Sequence, residues 1–177
     1  EIGGSWTGNV KDGVAPPDMV LPVSFSPDNQ AAMEAVLAGC QAQDACKKRY
    51  PNLRAEWQQL LRSLPLTATV THPLTGREER LTITRDQVLN AVRLPLYVPM
   101  LAAGLPGAIH DAAQQRFAPL LGLASAMDGP GAGLATGMHL SVVCAEDAPR
   151  MAEAKEAPGA DFGKLQAEFY AQACANW

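Results

Sequence analysis

The sequence predicts a mainly α-helical fold with one small β-hairpin. Apolar residues recur at helical spacing in several segments, which glycines and prolines separate from one another. Only one stretch, Leu66 to Ile83, is rich in the threonine and β-branched residues that favour strands. A doubly wound α/β sheet needs several apolar strands that alternate with helices, so the sequence does not predict a complete fold of that class.

The first helix is predicted to follow an irregular segment. In residues 1–25, four glycines and the pair Pro16-Pro17 prevent a long regular element, so we interpret this segment as a connector. Ser26 supplies an N-cap hydroxyl, and Pro27 is suited to the first helical position. Because apolar residues at helical spacing come after them, we predict a helix over about 27–39.

A second helix and the hairpin come next. Asn52 is expected to cap a helix that ends before Pro65, with one apolar stripe formed by Leu53, Trp57, Leu60, Leu61 and Leu64. Between Leu66 and Ile83, two strand-like stretches are interrupted by the turn-forming sequence His72-Pro73-Leu74-Thr75-Gly76. This pattern predicts one β-hairpin.

The remaining residues predict a series of helices. Thr84 and Gln87 have the spacing of a capping box, so a helix is expected to start there at once. Beyond it, short helices are separated by Pro95, Pro99, Pro106, Pro119 and Pro130. The last two helices are predicted over 133–146 and 162–177, and the polar segment 147–161, which contains proline and glycine, joins them. We find no internal repeat, and no second domain boundary within residues 26–177.

Composition and charge exclude several classes of function. The 177 residues are 47% apolar, which is enough for one domain whose core needs no metal. The net charge of −4 is spread over 18 acidic and 14 basic residues without a basic stripe, so nucleic acid is not expected as a partner. No apolar run approaches the roughly 18 residues of a membrane span. The first residues lack the features of a signal peptide, so a signal would lie outside this segment.

Four cysteines, Cys40, Cys46, Cys144 and Cys174, form an even set. They are compatible with two disulfides in three connectivities, and free buried thiols are the alternative that the count leaves open. Zinc is not expected, because the cysteines lack the close spacing of structural sites and the three histidines lie elsewhere. We therefore predict no metal and no cofactor.

Ser5 is the candidate catalytic residue. It lies in Ile2-Gly3-Gly4-Ser5-Trp6, and a serine on a tight turn flanked by glycines is how a hydrolase exposes its nucleophile between a strand and a helix. The match to G-x-S-x-G is incomplete, because Thr7 stands where the second glycine belongs and no helix is predicted to follow. A flexible Gly-Gly-Ser stretch is the alternative interpretation.

Four other segments carry a resemblance to one family. Asp12-Gly13-Val14-Ala15-Pro16-Pro17 resembles the segment after the strand that follows the nucleophile helix in tripeptidyl or prolyl aminopeptidase-like serine hydrolases, which belong to the α/β-hydrolase superfamily. Gly39 to Pro51 resembles the paired-cysteine segment of their helical caps. Met138 to Asp147 is similar to the helix and acidic turn near the end of the cap, and Ala173 to Trp177 to the stretch before the core resumes. The resemblance covers residues 12–177.

This resemblance implies that residues 26–177 are the helical cap, or lid, and that most of the catalytic core is absent. Residues 1–25 would be a connector with a degenerate nucleophile-like segment. The implied parent reaction is acyl transfer to a serine followed by hydrolysis. Nothing follows Trp177, so the triad acid and histidine cannot come from their usual downstream positions, and the isolated chain is expected to be inactive. The implied partners are the missing core and, through the parent enzyme, a short peptide substrate.

In the family that the sequence resembles, acidic residues near the turn at the end of the cap face the active-site cleft. Glu146 and Asp147 are therefore expected to hold the protonated α-amine of a peptide and to select substrates with a free N-terminus. A solvated helix end is the alternative interpretation of this pair. We interpret His72, His110 and His139 as satisfied or solvent-facing histidines rather than as a replacement for the missing base.

The resemblance to a cap is accompanied by a predicted pairing of the four cysteines. We predict the bonds Cys40–Cys46 and Cys144–Cys174, which place the parent in the periplasm or outside the cell. Residues six apart on one continuous helix are too distant for a bridge, so the first bond requires a helix break, for which Gly39 together with residues 41–44 offers a place. The second bond would tie the turn at Glu146 to the last helix.

Two other functions remain as alternatives. One is a stand-alone helical binding module that keeps the fold without catalysis, and the other is a minimal hydrolase that uses Ser5. A peptidase or esterase assay separates the minimal hydrolase from the other two. The genomic sequence on both sides of this segment separates a cap from a stand-alone module.

Overall fold

A computed structural model describes residues 20–71, 75–126, 135–155 and 157–177. Within them the chain is mainly α-helical, and its one sheet is a two-stranded antiparallel hairpin. The predicted combination of helices with a single hairpin is therefore confirmed. In this part of the chain, no helix combines the length and the apolar character needed to cross a membrane.

The helices and strands follow one another with short connections. Strand β1 (Leu66–Thr71) pairs with β2 (Glu78–Ile83) in a register that places Leu66 opposite Ile83. A 3-10 helix covers Ala148–Glu153. The α-helices are α1 (Leu21–Ala42), α2 (Asp44–Arg49), α3 (Leu53–Ser63), α4 (Arg85–Leu96), α5 (Pro99–Ala102), α6 (Leu105–Ala113), α7 (Ala118–Ser125), α8 (Thr136–Glu146) and α9 (Leu165–Cys174).

Helix α1 begins at Leu21, and Pro27 lies inside it rather than at its start. The predicted N-cap at Ser26 is wrong, because the buried Ser26 hydroxyl has other partners. It accepts a hydrogen bond from the Gly159 amide at 2.9 Å and donates one to the Gly163 carbonyl at 2.5 Å. These partners are 133 and 137 residues away in sequence, so the local pattern does not distinguish this serine from a capping serine.

Helix α3 has the predicted start, end and buried face. Asn52 occupies the N-cap position, although its side chain makes no capping hydrogen bond. The predicted stripe is buried at Leu53, Trp57, Leu60 and Leu61. Leu64, the last member of the stripe, is the half-buried C-cap residue. The amphipathic spacing therefore identifies the face of α3 that packs inward.

Helix α4 starts with the predicted capping box. The Thr84 hydroxyl accepts a hydrogen bond from the Gln87 amide at 3.3 Å, and the Gln87 side-chain oxygen accepts one from the Thr84 amide at 2.9 Å. Pro95 lies in the last turn of α4. The three short helices that follow carry a proline in their first two positions, as predicted, at Pro99, Pro106 and Pro119. Pro130 is outside the described residues.

The described residues belong to two compact units. Unit 1 contains residues 20–31 and 135–177, with the first half of α1, helices α8 and α9 and the 3-10 helix. Unit 2 contains residues 32–126, with the second half of α1, helices α2 to α7 and the hairpin. The core of unit 2 is made of large apolar side chains, among them Met33, Trp57, Val92, Ile109 and Leu120.

Unit 1 depends on a close approach between α1 and the segment 157–163. Gln30 forms two hydrogen bonds with Asp161, one to its amide at 2.8 Å and one to its carboxylate at 3.1 Å. At Gly159, a Cβ atom would lie 2.6 Å from Gln30 Cβ and 2.8 Å from the Ser26 carbonyl oxygen. Glycine is therefore required at this contact, because any side chain would push the segment away from α1.

Candidate functional site

Ser5, the candidate catalytic residue, lies outside the described residues, and so does His72, which was interpreted as a satisfied or solvent-facing histidine. The acidic pair Glu146 and Asp147, the two other histidines and the four cysteines are described. Among the described residues, no group of three or more histidines, cysteines and carboxylates could hold a metal ion.

The four cysteines form two disulfides, Cys40–Cys46 and Cys144–Cys174, with the pairing predicted from the sequence. Each bond joins Cα atoms 5.1 Å apart. The first spans the predicted helix break, since α1 ends at Ala42 and α2 begins at Asp44. The second joins the end of α8 to the end of α9. It therefore holds the acidic turn, which starts two residues after Cys144.

The two acidic residues of the turn have different surroundings. Glu146 is the last residue of α8 and is exposed to solvent. Asp147 is the half-buried C-cap of the same helix, and its Oδ1 atom accepts a hydrogen bond from the Leu21 amide at 3.4 Å. Leu21 is the first residue of α1, which has no acidic residue in its own first turn. Asp147 thus places a carboxylate at the positive end of α1, whereas Glu146 is directed to solvent.

Helix α8, which ends at the acidic turn, also contributes to an apolar cluster. Phe25 from α1, Val143 from α8 and Tyr170 from α9 are buried together, and the rings of Phe25 and Tyr170 stack at 5.9 Å. His139 Nε2 lies 2.7 Å from the Tyr170 hydroxyl, so this histidine is hydrogen-bonded to the core. The interpretation of His139 as a satisfied histidine is therefore confirmed.

Glu146 also ends a stripe of exposed side chains on α8. Met138, Val142 and Glu146 follow one another at i, i+4 spacing, which places them on one face of the helix. Met138 is 69% exposed and Val142 is 48% exposed. Apolar residues at helical spacing are expected to pack, and for Met138 this expectation is wrong. Val142 was not singled out in the sequence, although its spacing relative to Glu146 is that of one helix face. We call these three residues the α8 stripe; it presents apolar surface followed by a carboxylate.

In unit 2, His110 on α6 is held on both sides. Its Nδ1 atom lies 2.9 Å from the Glu56 carboxylate on α3, and its Nε2 atom lies 2.8 Å from Gln114 Nε2. The interpretation of His110 as a satisfied histidine is confirmed. Its partner Glu56 was not recognised in the sequence, because the two residues are 54 positions apart and belong to different helices.

Described residues of unit 2 line a polar cleft and an apolar groove. A polar cleft of about 270 Å³ is lined by Arg49, Tyr50, Gly107, His110, Asp111 and Arg116. An apolar groove of about 400 Å³ is formed by β2, α4 and α7, with Leu81, Val88, Phe117 and Leu120 among its lining residues. Comparison of the chain with family models, curated proteins and solved structures finds no significant match.

Proposed function

We propose that this chain is the cap of a serine peptidase of the α/β-hydrolase superfamily, similar to tripeptidyl and prolyl aminopeptidases. The cap would cover the active site of the parent enzyme and admit short peptides with a free N-terminus. The α8 stripe is the observation that carries the proposal, because it joins an exposed carboxylate to an exposed apolar surface. The helical fold with one hairpin, the two disulfides and the acidic turn support the same assignment.

The α8 stripe has the chemistry that a peptide N-terminus needs. The Glu146 carboxylate would pair with the substrate ammonium group, and Met138 and Val142 would contact an apolar side chain of the first substrate residues. Asp147 would act as a positioning residue, because it already binds the first amide of α1. The Cys144–Cys174 bond would keep Glu146 at a constant place relative to the end of α9.

The two disulfides favour a parent protein in an oxidising compartment, the periplasm or the extracellular space. In such a compartment both bonds would form and persist. The parent reaction would be attack of a core serine on the peptide carbonyl, release of the amine product and hydrolysis of the acyl-enzyme by water. The cap residues would choose the substrate, while the core carried out the chemistry.

The α8 stripe can be tested in the complete parent enzyme by comparing Glu146→Gln with Glu153→Gln, a control at another exposed carboxylate of unit 1. The first variant is expected to lower kcat/KM for a peptide with a free amine about fivefold, the scale of an exposed ion pair. Turnover of a small ester, which has no ammonium group, should stay unchanged. Equal losses on both substrates, or equal effects of the two variants, would contradict the proposed role of Glu146.

The isolated chain is expected to show no peptidase or esterase turnover above that of its Ser5→Ala variant. The assay uses chromogenic peptide and ester substrates, with a serine-directed phosphonate as a second control. Turnover that disappears in the variant would instead establish the minimal hydrolase based on Ser5.

A stand-alone helical binding module is the second candidate function, and the polar cleft of unit 2 favours it. This cleft offers side chains for ligand recognition that require no catalytic core. The gene sequence on both sides of this segment separates the two candidates. A hydrolase core encoded around it supports the cap, and unrelated flanking sequence supports the module.

A further inference from the structure

The polar cleft of unit 2 lies where the end of α2 faces α6. Arg49 and Tyr50 come from α2 and its C-cap, and Gly107 comes from α6. A Cβ atom on Gly107 would lie 2.9 Å from the Tyr50 hydroxyl oxygen. The glycine therefore allows the Tyr50 hydroxyl to sit directly against α6 at the cleft.

The disulfide of unit 2 anchors α2, which ends at Arg49 and has Tyr50 as its C-cap. The Tyr50 amide donates a hydrogen bond to the Cys46 carbonyl at 2.8 Å, and the Tyr50 carbonyl accepts one from the Gln41 side chain at 3.4 Å. Cys46 is bonded to Cys40 at the end of α1. Arg49 lies over the Tyr50 ring, with its guanidinium carbon 5.6 Å from the ring centre. On this side of the cleft, Tyr50 is thus hydrogen-bonded to a residue that a disulfide ties to α1.

The opposite wall is a directed chain of hydrogen bonds. Arg116, which only donates, gives one N–H to the Gln114 side-chain oxygen at 2.5 Å and another to the Asp111 carboxylate. Because this orients the Gln114 amide, its NH2 group faces His110 Nε2 at 2.8 Å. His110 then donates through Nδ1 to Glu56, an acceptor only. Each side chain of this chain, from Arg116 to Glu56, therefore has a hydrogen-bond partner before any ligand arrives, and the wall is preorganised.

Within the described part of the chain, two hydrogen-bond donors at the cleft lack the partners that the residues of this wall have. Among the described residues, the Arg49 guanidinium has no carboxylate partner and the Tyr50 hydroxyl has no hydrogen-bond partner. Lys47 and Lys48 precede Arg49 in the last turn of α2 and add positive charge to this end of the helix. The charges of Arg116 and Asp111 offset each other. The cleft therefore has an excess of positive charge and two donors for an acceptor group.

We propose that this cleft binds the oxyanion group, a carboxylate or a phosphate, of a small organic molecule. The Arg49 guanidinium supplies the charge, because it can hold two oxygens of a planar or tetrahedral oxyanion side by side. The Tyr50 hydroxyl donates a further hydrogen bond. A volume of about 270 Å³ suits a small molecule better than a polymer. This site involves no residue of the α8 stripe, so it goes beyond the proposed cap function.

The test is titration of the intact chain with inorganic phosphate and with acetate at constant ionic strength, followed by NMR or calorimetry. Wild-type chain is expected to bind at least one of the two, and the preferred anion identifies the ligand as a phosphate or a carboxylate. Arg49→Met, which keeps the apolar stem, is expected to weaken binding about tenfold. Arg62→Met is the matched control, since Arg62 is an exposed residue at the end of α3 and does not line the cleft. Its affinity should equal that of the wild type.

Two more variants separate a specific site from general attraction by positive charge. Tyr50→Phe should weaken binding without any change of charge, and Gly107→Ala should weaken it by displacing the Tyr50 hydroxyl. Circular dichroism and the urea midpoint establish that each variant is folded. Absence of binding to both anions in the millimolar range, or equal losses in Arg49→Met and Arg62→Met, would overturn the proposal.

Discussion

Unit 2 buries large apolar side chains contributed by successive helices, whereas unit 1 buries polar ones beside a smaller apolar cluster. All buried polar residues of the described chain belong to unit 1, namely Ser24, Ser26, Asn29, Asp161 and Gln166. The largest buried side chain, Trp57, belongs to unit 2. Apolar burial is non-directional and roughly proportional to area, but a buried hydrogen bond needs both of its partners in place. Unit 1 is therefore expected to be more sensitive to conservative changes of single polar groups.

The largest expected effect tests the core of unit 2. Trp57→Ala removes a side chain with no exposed surface and should lower the free energy of unfolding by about 3–5 kcal/mol. Trp177→Ala, in unit 1, removes a tryptophan that is 61% exposed and should change it by less than about 0.5 kcal/mol. Urea unfolding followed by circular dichroism measures both. Similar losses of unfolding free energy in the two variants would contradict the expectation that the buried Trp57 stabilises the fold more than the exposed Trp177.

The two disulfides are expected to contribute unequally to the two units. Cys144–Cys174 closes a sequence separation of 30 residues, and Cys40–Cys46 closes one of 6. Loop-closure entropy predicts losses of about 3–4 kcal/mol for the Cys144→Ser, Cys174→Ser double variant and about 2 kcal/mol for the Cys40→Ser, Cys46→Ser double variant. Chemical denaturation of the two double variants provides the comparison. The reverse order would show that strain or residual structure outweighs chain entropy.

The third substitution removes one of the buried polar side chains of unit 1, and its expected effect on the free energy of unfolding is the smallest. Ser26→Ala leaves the Gly159 amide and the Gly163 carbonyl without their side-chain partner, and should cost about 2 kcal/mol. Ser63→Ala is the control in unit 2, because the exposed Ser63 hydroxyl bonds only to the Leu60 carbonyl of its own helix. That variant should lose no more than about 0.5 kcal/mol. Hydrogen exchange at Gly159 gives a second readout, which should increase only in Ser26→Ala.

The sequence predicted the elements of unit 2 better than those of unit 1. Helix α3 and the capping box at Thr84 were correctly predicted, since their signals lie within one or two turns of chain. The hairpin was also predicted, although its central turn residues are outside the described part. In unit 1, the start of α1 was wrong because Ser26 uses its hydroxyl for distant backbone groups. A local propensity cannot include a partner more than 100 residues away.

The candidate site was predictable only in its residue types. Glu146 and Asp147 were named together, but the sequence did not separate the exposed carboxylate from the one that binds the Leu21 amide. The spacing of Met138, Val142 and Glu146 predicts that they share one face of a helix, but the sequence did not predict that this face is exposed. Which side of a helix stays exposed depends on what packs against the other side, here Tyr170 and Phe25.

The sequence by itself determined the helical class and the single hairpin, because each follows from residues that interact within a few turns of chain. Only the tertiary structure decided which buried polar groups are paired, how His110 is oriented by Glu56, and where Arg49 and Tyr50 form a cleft with Gly107. These features join residues that are distant in sequence. Their energies depend on distance and direction in space, which no local pattern encodes.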